Sequence, residues 1–430
     1  MTDWVYKRLD MPRRWRDWLI YSVQWLVTMF YAIVWAYALV GVGLGFKGSQ
    51  LTAYLSAAAL MIGLATLLQA WIGHRLAMVS GPNVIPSLAI IAAFGTGGID
   101  YAFHAFTAQA IAGLIVAAFI VAGLLRYVRL LWSPLVLGSM VMMVGLSVAG
   151  LGIAALAQGG LGLKFFIALA LALGGCVAAL RGRGVVATLA PLLIIGVGYV
   201  LFFAMGGIDT KLVHEAPWFA IPKVFPYGLS MPPWDLIVVM VIVNLMAALN
   251  LYGNLRGYEE VIDEKIDARD ERRSFTIFTL IETSFAGILG VPATVAYAEN
   301  LGIVQLTRVA ARIFIIVAAA IFIVLSCVGP FGAFMAAMPT EIAGAVLLGI
   351  ASSVLGIGAH TLNTAPAFGR REQTLVGFAM FLSLGLYLLP EAKWAQAPAL
   401  LHTIFANPVI SVILFVMVFE HLIFRAGKSA

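Results

Sequence analysis

A chain of 430 residues in which 62% are hydrophobic and only 11% are charged, with a mean hydropathy of +1.01, excludes a soluble globular protein. The formal net charge of +6 is scattered through short connections without a basic face interleaved with aromatics, which excludes a nucleic-acid partner. Cys176 and Cys327 lie in apolar runs with no CxxC spacing, so two packed thiols are expected, not a disulfide framework or a metal site.

Residues 1–16 are basic and contain two tryptophans, and the apolar run behind them is longer than a signal-peptide core and has no small-residue cleavage site. They are expected to be retained at the cytoplasmic interface. Apolar runs long enough to cross a roughly 30 Å hydrocarbon core follow from end to end. Their expected positions are 17–41, 51–73, 78–95, 105–125, 132–157, 164–180, 186–206, 234–255, 273–290, 292–310, 313–332, 340–359, 372–390 and 400–424. The segments near 78 and 292 are too broken to be ordinary spans.

Of the 26 Lys and Arg, only Lys47, Lys164, Lys211, Lys223 and Lys393 fall in outside connections when the N-terminus is cytoplasmic. The other 21 lie inside, among them Arg8, Arg75, Arg256, Arg308 and Arg312. That asymmetry satisfies the positive-inside rule and implies an even number of crossings with both termini in the cytoplasm. The charged stretch RGYEEVIDEKIDARDERR, from Arg256 to Arg273, reads as a solvated connector.

The chain divides into two halves of seven segments, 17–206 and 234–424, on either side of an outside loop at 207–233 rich in Pro and aromatics. In each half the third segment is interrupted: MVSGPNVIPSLAI carries Gly81, Pro82 and Pro86, and GVPATVAYAENLG carries Gly290 and Pro292. Backbone groups freed by such breaks cannot face lipid, so they line an enclosed or wet cavity. Paired breaks of this kind mark the site of transporters built from inverted repeats. The half-helix N-termini there are hydrogen-bond donors for a polar solute, and Glu299 adds an acceptor. An intramembrane acid is functional by default, and burial favouring its neutral form makes Glu299 a candidate proton carrier.

Glu299, Asn300, Gly302, Thr307 and Arg308 spell E-N-x-G-x-x-x-x-T-R, which resembles the signature of the nucleobase/ascorbate transporter family, the uracil and xanthine permeases. LSCVGPFGAFMAAMP (325–339), FAMGGIDT, WFAIP and VQWLVTMF (23–30) resemble other family stretches, and the likeness covers about residues 20–420. The resemblance implies an all-α polytopic fold of fourteen segments in two inverted sets of seven, with short extended pieces in segments 3 and 10. Segments 1–4 and 8–11 would form a core that holds the base, and segments 5–7 and 12–14 a gate against which it moves, usually in a homodimer. By the same resemblance Glu299 would bond N–H groups of the base. Main-chain groups at Tyr297, Ala298, Gly81 and Pro82 would frame it, and Gln24 and Ala32 would lie against the same cavity. Asn300 and Thr307 look like scaffolding, and Arg308 like the positive end of its segment.

The chain departs from the family in segment 8, where NLYGN puts Asn250 at the usual glutamate and Asn254 at a histidine, and in segment 1, where Trp25 replaces a histidine. An amide still offers one donor and one acceptor face to a base edge, but it exchanges no proton, which leaves Glu299 as the coupling candidate. A glutamate at 299, where purine readers of the family often have glutamine, tilts the reading toward a pyrimidine.

Glu282 reads either as a second buried acid or as the partner of an Arg or a helix-end hydroxyl. Glu341, after Pro339, favours a helix dipole. His360 and His402 lie near segment ends and read as interfacial. Gly344, Ala345, Gly349, Ala351 and Ser352 read as close helix packing. The expected function is proton-coupled uptake of a nucleobase across the cytoplasmic membrane by an elevator-like core movement, with no cofactor. The alternative is an anion transporter or uncoupled facilitator on the same fold, which Glu299 disfavours. The sequence has no HExxH, no paired intramembrane aspartates and no Ser/His pair at depth, so no enzyme is expected.

Overall fold

The computed structural model describes residues 4–124, 133–182, 190–297, 300–365, 368–394 and 396–423. Helix α1, Trp15–Ala36, runs into a π turn at Tyr37–Gly41, and α2 spans Gly48–Trp71. A three-residue strand β1, Ser80–Pro82, precedes α3, Val84–Val121. Helices α4 (Pro134–Leu156), α5 (Leu163–Arg181) and α6 (Ala190–Ala204) complete the first half. The second half holds α7 (Trp234–Ile262) and α8 (Ala268–Ile277), the latter continuing through a π-helix at Phe278–Phe285. Strand β2, Thr294–Ala296, leads to the half-helix α9, Asn300–Thr307. Then come α10 (Arg312–Ser326), α11 (Gly329–Ala336), α12 (Thr340–Asn363), α13 (Arg370–Tyr387), α14 (Ala399–Phe405) and α15 (Pro408–Val418).

Seven of the described helices are long and apolar enough to cross a membrane. The segments expected near 78 and 105 are two helices joined end to end within α3, kinked where Gly97 and Gly98 leave helical geometry, Gly98 at φ 75°. One difference from the sequence reading has a clear cause. The segments near 313 and 400 are each in two pieces, because Pro330 and Pro408 start new helices where a continuing one would lack a donor. The ends of several other expected segments lie outside the described residues.

The two interrupted segments meet. Strands β1 and β2 pair antiparallel with Ser80 opposite Ala296, Gly81 opposite Val295 and Pro82 opposite Thr294. The ladder is extended by Asn83 N donating to Ala293 O (2.8 Å) and Tyr297 N to Val79 O (3.0 Å). Side chains satisfy backbone that lipid could not. Thr66 Oγ1 of α2 accepts from Ser80 N at 3.0 Å. Gln109 of α3 donates to Thr283 O and Val291 O and accepts from Ala293 N at 2.9 Å.

Helix α2 lies on α10, α3 on α7 and on the π-helix, and α4 on α12. Gly138, Gly145 and Gly152 recur every seventh residue of α4, and Gly344, Ala351 and Gly358 do so on α12. A seven-residue repeat keeps one seam facing a partner helix. Here the seam is close enough that a Cβ on Gly344 would sit 2.6 Å from Gly152 O. The sequence reading of Gly344 as a packing residue is therefore met.

Charges gather at one end of the bundle: Arg8 binds Glu264 at 2.9 Å, Arg75 binds Asp270 at 3.6 Å, and Arg312 donates to Ala70 O and Trp71 O. The N-terminal segment is strapped there, with Val5 N donating to Arg308 O at 2.9 Å and Ala310 N to Tyr6 O at 2.8 Å. At the other end the loop before α7 is stitched to the break between α10 and α11 by Ala220 N to Cys327 O, 2.9 Å, and Gly329 N to Trp218 O, 3.2 Å.

Candidate functional site

The crossing of β1 and β2 opens on a cavity of about 150 Å³. Pro82, Asn83, Val84 and Ile85 line it from the first half, Val295 and Tyr297 from the second, Asn250 and Asn254 from α7, and Trp35 from α1. The facing wall is apolar: Met140, Val141 and Val144 of α4, with Val354 and Ile357 of α12.

Tyr297 OH donates to Pro82 O at 2.9 Å, so one aromatic ring bridges the two strands. That ring lies on Gly81, where a Cβ would come within 2.5 Å of the Tyr297 oxygen, so a larger residue there would push the ring aside. Asn254 donates through Nδ2 to Ala296 O at 2.7 Å, which leaves its Oδ1 free to accept. Among the described residues the Asn250 amide is committed to no partner. Asn83 accepts from Ile85 N at 3.0 Å and thereby caps α3, while its Nδ2 is buried with no acceptor. A buried orphan donor on a cavity wall is what a ligand oxygen would satisfy. Trp35 and Tyr297 add flat apolar faces. The described lining carries no charge, and its amide donors and acceptors suit a small, neutral, planar solute with hydrogen-bonding edges.

Of the residues singled out in the sequence, Pro82, Asn250, Asn254 and Tyr297 come together on this cavity and Gly81 lies directly under it. Ala298 and Glu299 lie outside the described residues. Gln24 and Ala32 are not on the lining; Gln24 is half-buried and Ala32 is fully enclosed in the bundle, and Trp35, one turn beyond Ala32, takes the α1 position. Asn300 donates to Tyr297 O at 2.9 Å and to Val79 O at 3.4 Å, holding α9 to the strands. Thr307 bonds back to Ile303 O at 2.8 Å, Gly302 is exposed, and Arg308 ends the half-helix in left-handed geometry at φ 55°.

Sequence reasoning missed Asn83 and Trp35. The signal for Asn83 was an asparagine between a Gly-Pro break and a helix start, which also reads as a simple N-cap. Glu282 is fully buried and bound by Gln69 Nε2 at 2.9 Å, with no Arg on it. His402 is buried and stacked on Trp394 at 5.1 Å. A larger cleft of about 750 Å³, lined by the start of α2 and the loop before α7, holds none of the singled-out residues.

A putative purine permease of Clostridium perfringens is 26% identical over 402 residues, covering 89% of this chain and 84% of its own. A uracil permease of Bacillus caldolyticus is 26% identical over 378 residues, covering 86% of this chain and 85% of its own. The transmembrane domain of the cyanobacterial bicarbonate transporter BicA superposes with a TM-score of 0.60 at 15% identity, over 95% of this chain and 98% of that one, which establishes a shared fold. The model of the Permease family, Xan_ur_permease, matches residues 16–392. The chain is thus a multi-pass membrane protein and belongs to the nucleobase/ascorbate transporter family of permeases.

Proposed function

We propose that this protein is a secondary transporter that carries a nucleobase across the cytoplasmic membrane, with both termini inside. The observation that carries the reading is the uncharged, amide-lined cavity at the crossing of the two interrupted segments. The relatives named above are a putative purine permease and a uracil permease, which supports a purine or pyrimidine base as the substrate class. Asn250, Asn83 and Asn254 present donors and acceptors to the base edge, and Trp35 and Tyr297 flank its face. Glu299, two residues beyond Tyr297 in the chain, bonds base N–H groups. The strands with α1–α3 and α7–α11 move as one body, elevator-like, along the apolar wall of α4 and α12. The α4–α6 and α12–α15 group stays fixed in a homodimer.

The test is thermal shift of purified protein with uracil, xanthine, uric acid, hypoxanthine, guanine, adenine and sulfate. One base is expected to raise the melting temperature, since a ligand at a hundred times its Kd adds about 2.7 kcal/mol. Asn250→Ala is expected to weaken that base by about 1 kcal/mol, roughly fivefold, and Glu299→Gln by more, as a charged acceptor is lost. A shift by sulfate and by no base would sink the nucleobase reading and leave only the fold.

A further inference from the structure

Glu282 is the one carboxylate at 0% exposure among the described residues. It sits in the π-helix Phe278–Phe285, a widened turn of the kind that recurs at functional sites. Gln69 of α2 donates to it at 2.9 Å and to Ser274 O at 3.1 Å, and those two acceptors fix which way the amide points. The second oxygen, Glu282 Oε1, has no hydrogen-bond partner, nor has Gln69 Oε1. The Ser80 hydroxyl faces the carboxylate without closing a bond and is likewise unpartnered. Three fully buried oxygens thus stand unpaired around one acid.

No described cation neutralises it. The elements packed around the π-helix are α2, α3, α8 and β2. Of the charged and titratable side chains there, Asp270 of α8 pairs with Arg75 and Arg273, Glu271 pairs with Arg256, His104 of α3 meets Ser230, Tyr101 is bonded to Asp235, and Arg269, Arg272 and Asp100 make no ion pair with the carboxylate. An ionised carboxylate alone at this depth is costly. One added proton completes the cluster, because a carboxylic acid is a donor and Ser80 Oγ or Gln69 Oε1 then accepts from it. Without the proton the Ser80 hydroxyl turns to donate to Oε1. Ser80 belongs to β1, pairs with Ala296, and the carbonyl of Ala296 holds Asn254 on the cavity wall at 2.7 Å. The acid and the cavity are therefore joined through one rung of the ladder.

We propose that Glu282, with Gln69 and Ser80, is a proton-binding site, distinct from Glu299, that couples transport to a proton gradient. It rests on the transporter reading above. One proton binds Oε1 before the base is loaded and leaves to the opposite solution after the base is released, so one proton crosses per base.

The test uses full-length protein in liposomes with radiolabelled uracil, xanthine or uric acid. Coupled one to one, an inward pH gradient of one unit accumulates base about tenfold. Glu282→Gln is expected to accumulate none, while it still binds the base and exchanges it across the membrane at the wild-type rate; Glu299→Gln is expected to lose binding itself. Wild-type accumulation by Glu282→Gln, or accumulation driven by a sodium gradient alone, overturns the proposal. Infrared spectra of the base-free protein give a readout that survives failure of the nucleobase reading. A buried carboxylic-acid band is expected in the wild type and is expected to be missing in Glu282→Gln; its absence from both overturns the assignment. Should the Gln variant not fold, Ser80→Ala is expected to move the pH at which that band titrates, and an unmoved titration has the same negative meaning.

Discussion

An amide with one end engaged and the other empty separates two roles within a single side chain, and Asn83 is in that state. Its Oδ1 caps α3 and its Nδ2 points at nothing. Serine also caps well but brings no amide donor. Asn83→Ser is therefore expected to leave the melting temperature nearly unchanged and to weaken base binding roughly fivefold, about 1 kcal/mol. Calorimetric titration beside a thermal melt checks it, and a drop in stability with intact binding would show that the cap is the residue's whole role. The sequence made Tyr297, Pro82 and Asn250 legible because breakers and polar groups stand out in a lipid-soluble chain. It did not expose Trp35, since a tryptophan in an apolar helix looks like core from every direction, and the neighbouring Ala32 was the reading that family likeness suggested.

At the scale of elements, close contact between α4 and α12 depends on what is missing from their facing surfaces. A Cβ on Gly344 would lie 2.6 Å from Gly152 O and 2.8 Å from Leu156 N, both backbone atoms that cannot step aside. A Cβ on Gly349, on the same helix, would meet only Ile194 at 3.7 Å. Gly344→Ala is expected to cost ~1–3 kcal/mol by overpacking. Gly349→Ala is expected to be neutral or to stabilise by up to ~1 kcal/mol through helix propensity. Unfolding of both variants in the same detergent decides it, and equal effects would refute the seam. Apolar length and the paired Gly-Pro breaks made most spans and both strands readable. The helical geometry of residues 99–104 was not, because a stretch carrying Gly95, Gly97, Gly98 and Asp100 reads as a loop between two helices.

For the molecule as a whole, the charged end of the bundle ties stability to pH. His74, in the connection between α2 and β1, is fully buried and accepts from Leu76 N at 3.0 Å. Burial, with the positive charge of Arg8 as a smaller cause, pushes its imidazole down to about 3. Between that value and the ordinary 6.5, the unfolded chain binds a proton that the folded chain refuses. Stability is therefore complete above the ordinary value and falls as the pH drops below it, by up to ~1.4 kcal/mol per pH unit. His74→Asn keeps an acceptor for Leu76 N and cannot titrate. Melting temperatures measured from neutral to mildly acidic pH are expected to fall less in that variant, and parallel curves would remove His74 as the cause.

The pairing of β1 with β2 also sets an order of events in biosynthesis. Tyr297 and Pro82, which close the ladder, are 215 residues apart. At ~5–20 residues per second, the first strand waits ~10–40 s for its partner to be made. Throughout that interval its open edge has Thr66 as the side-chain partner of Ser80 and no second strand. A nascent chain halted before β2 would carry unpaired backbone into the bilayer, a state that lipid cannot satisfy and that cellular quality control is built to find.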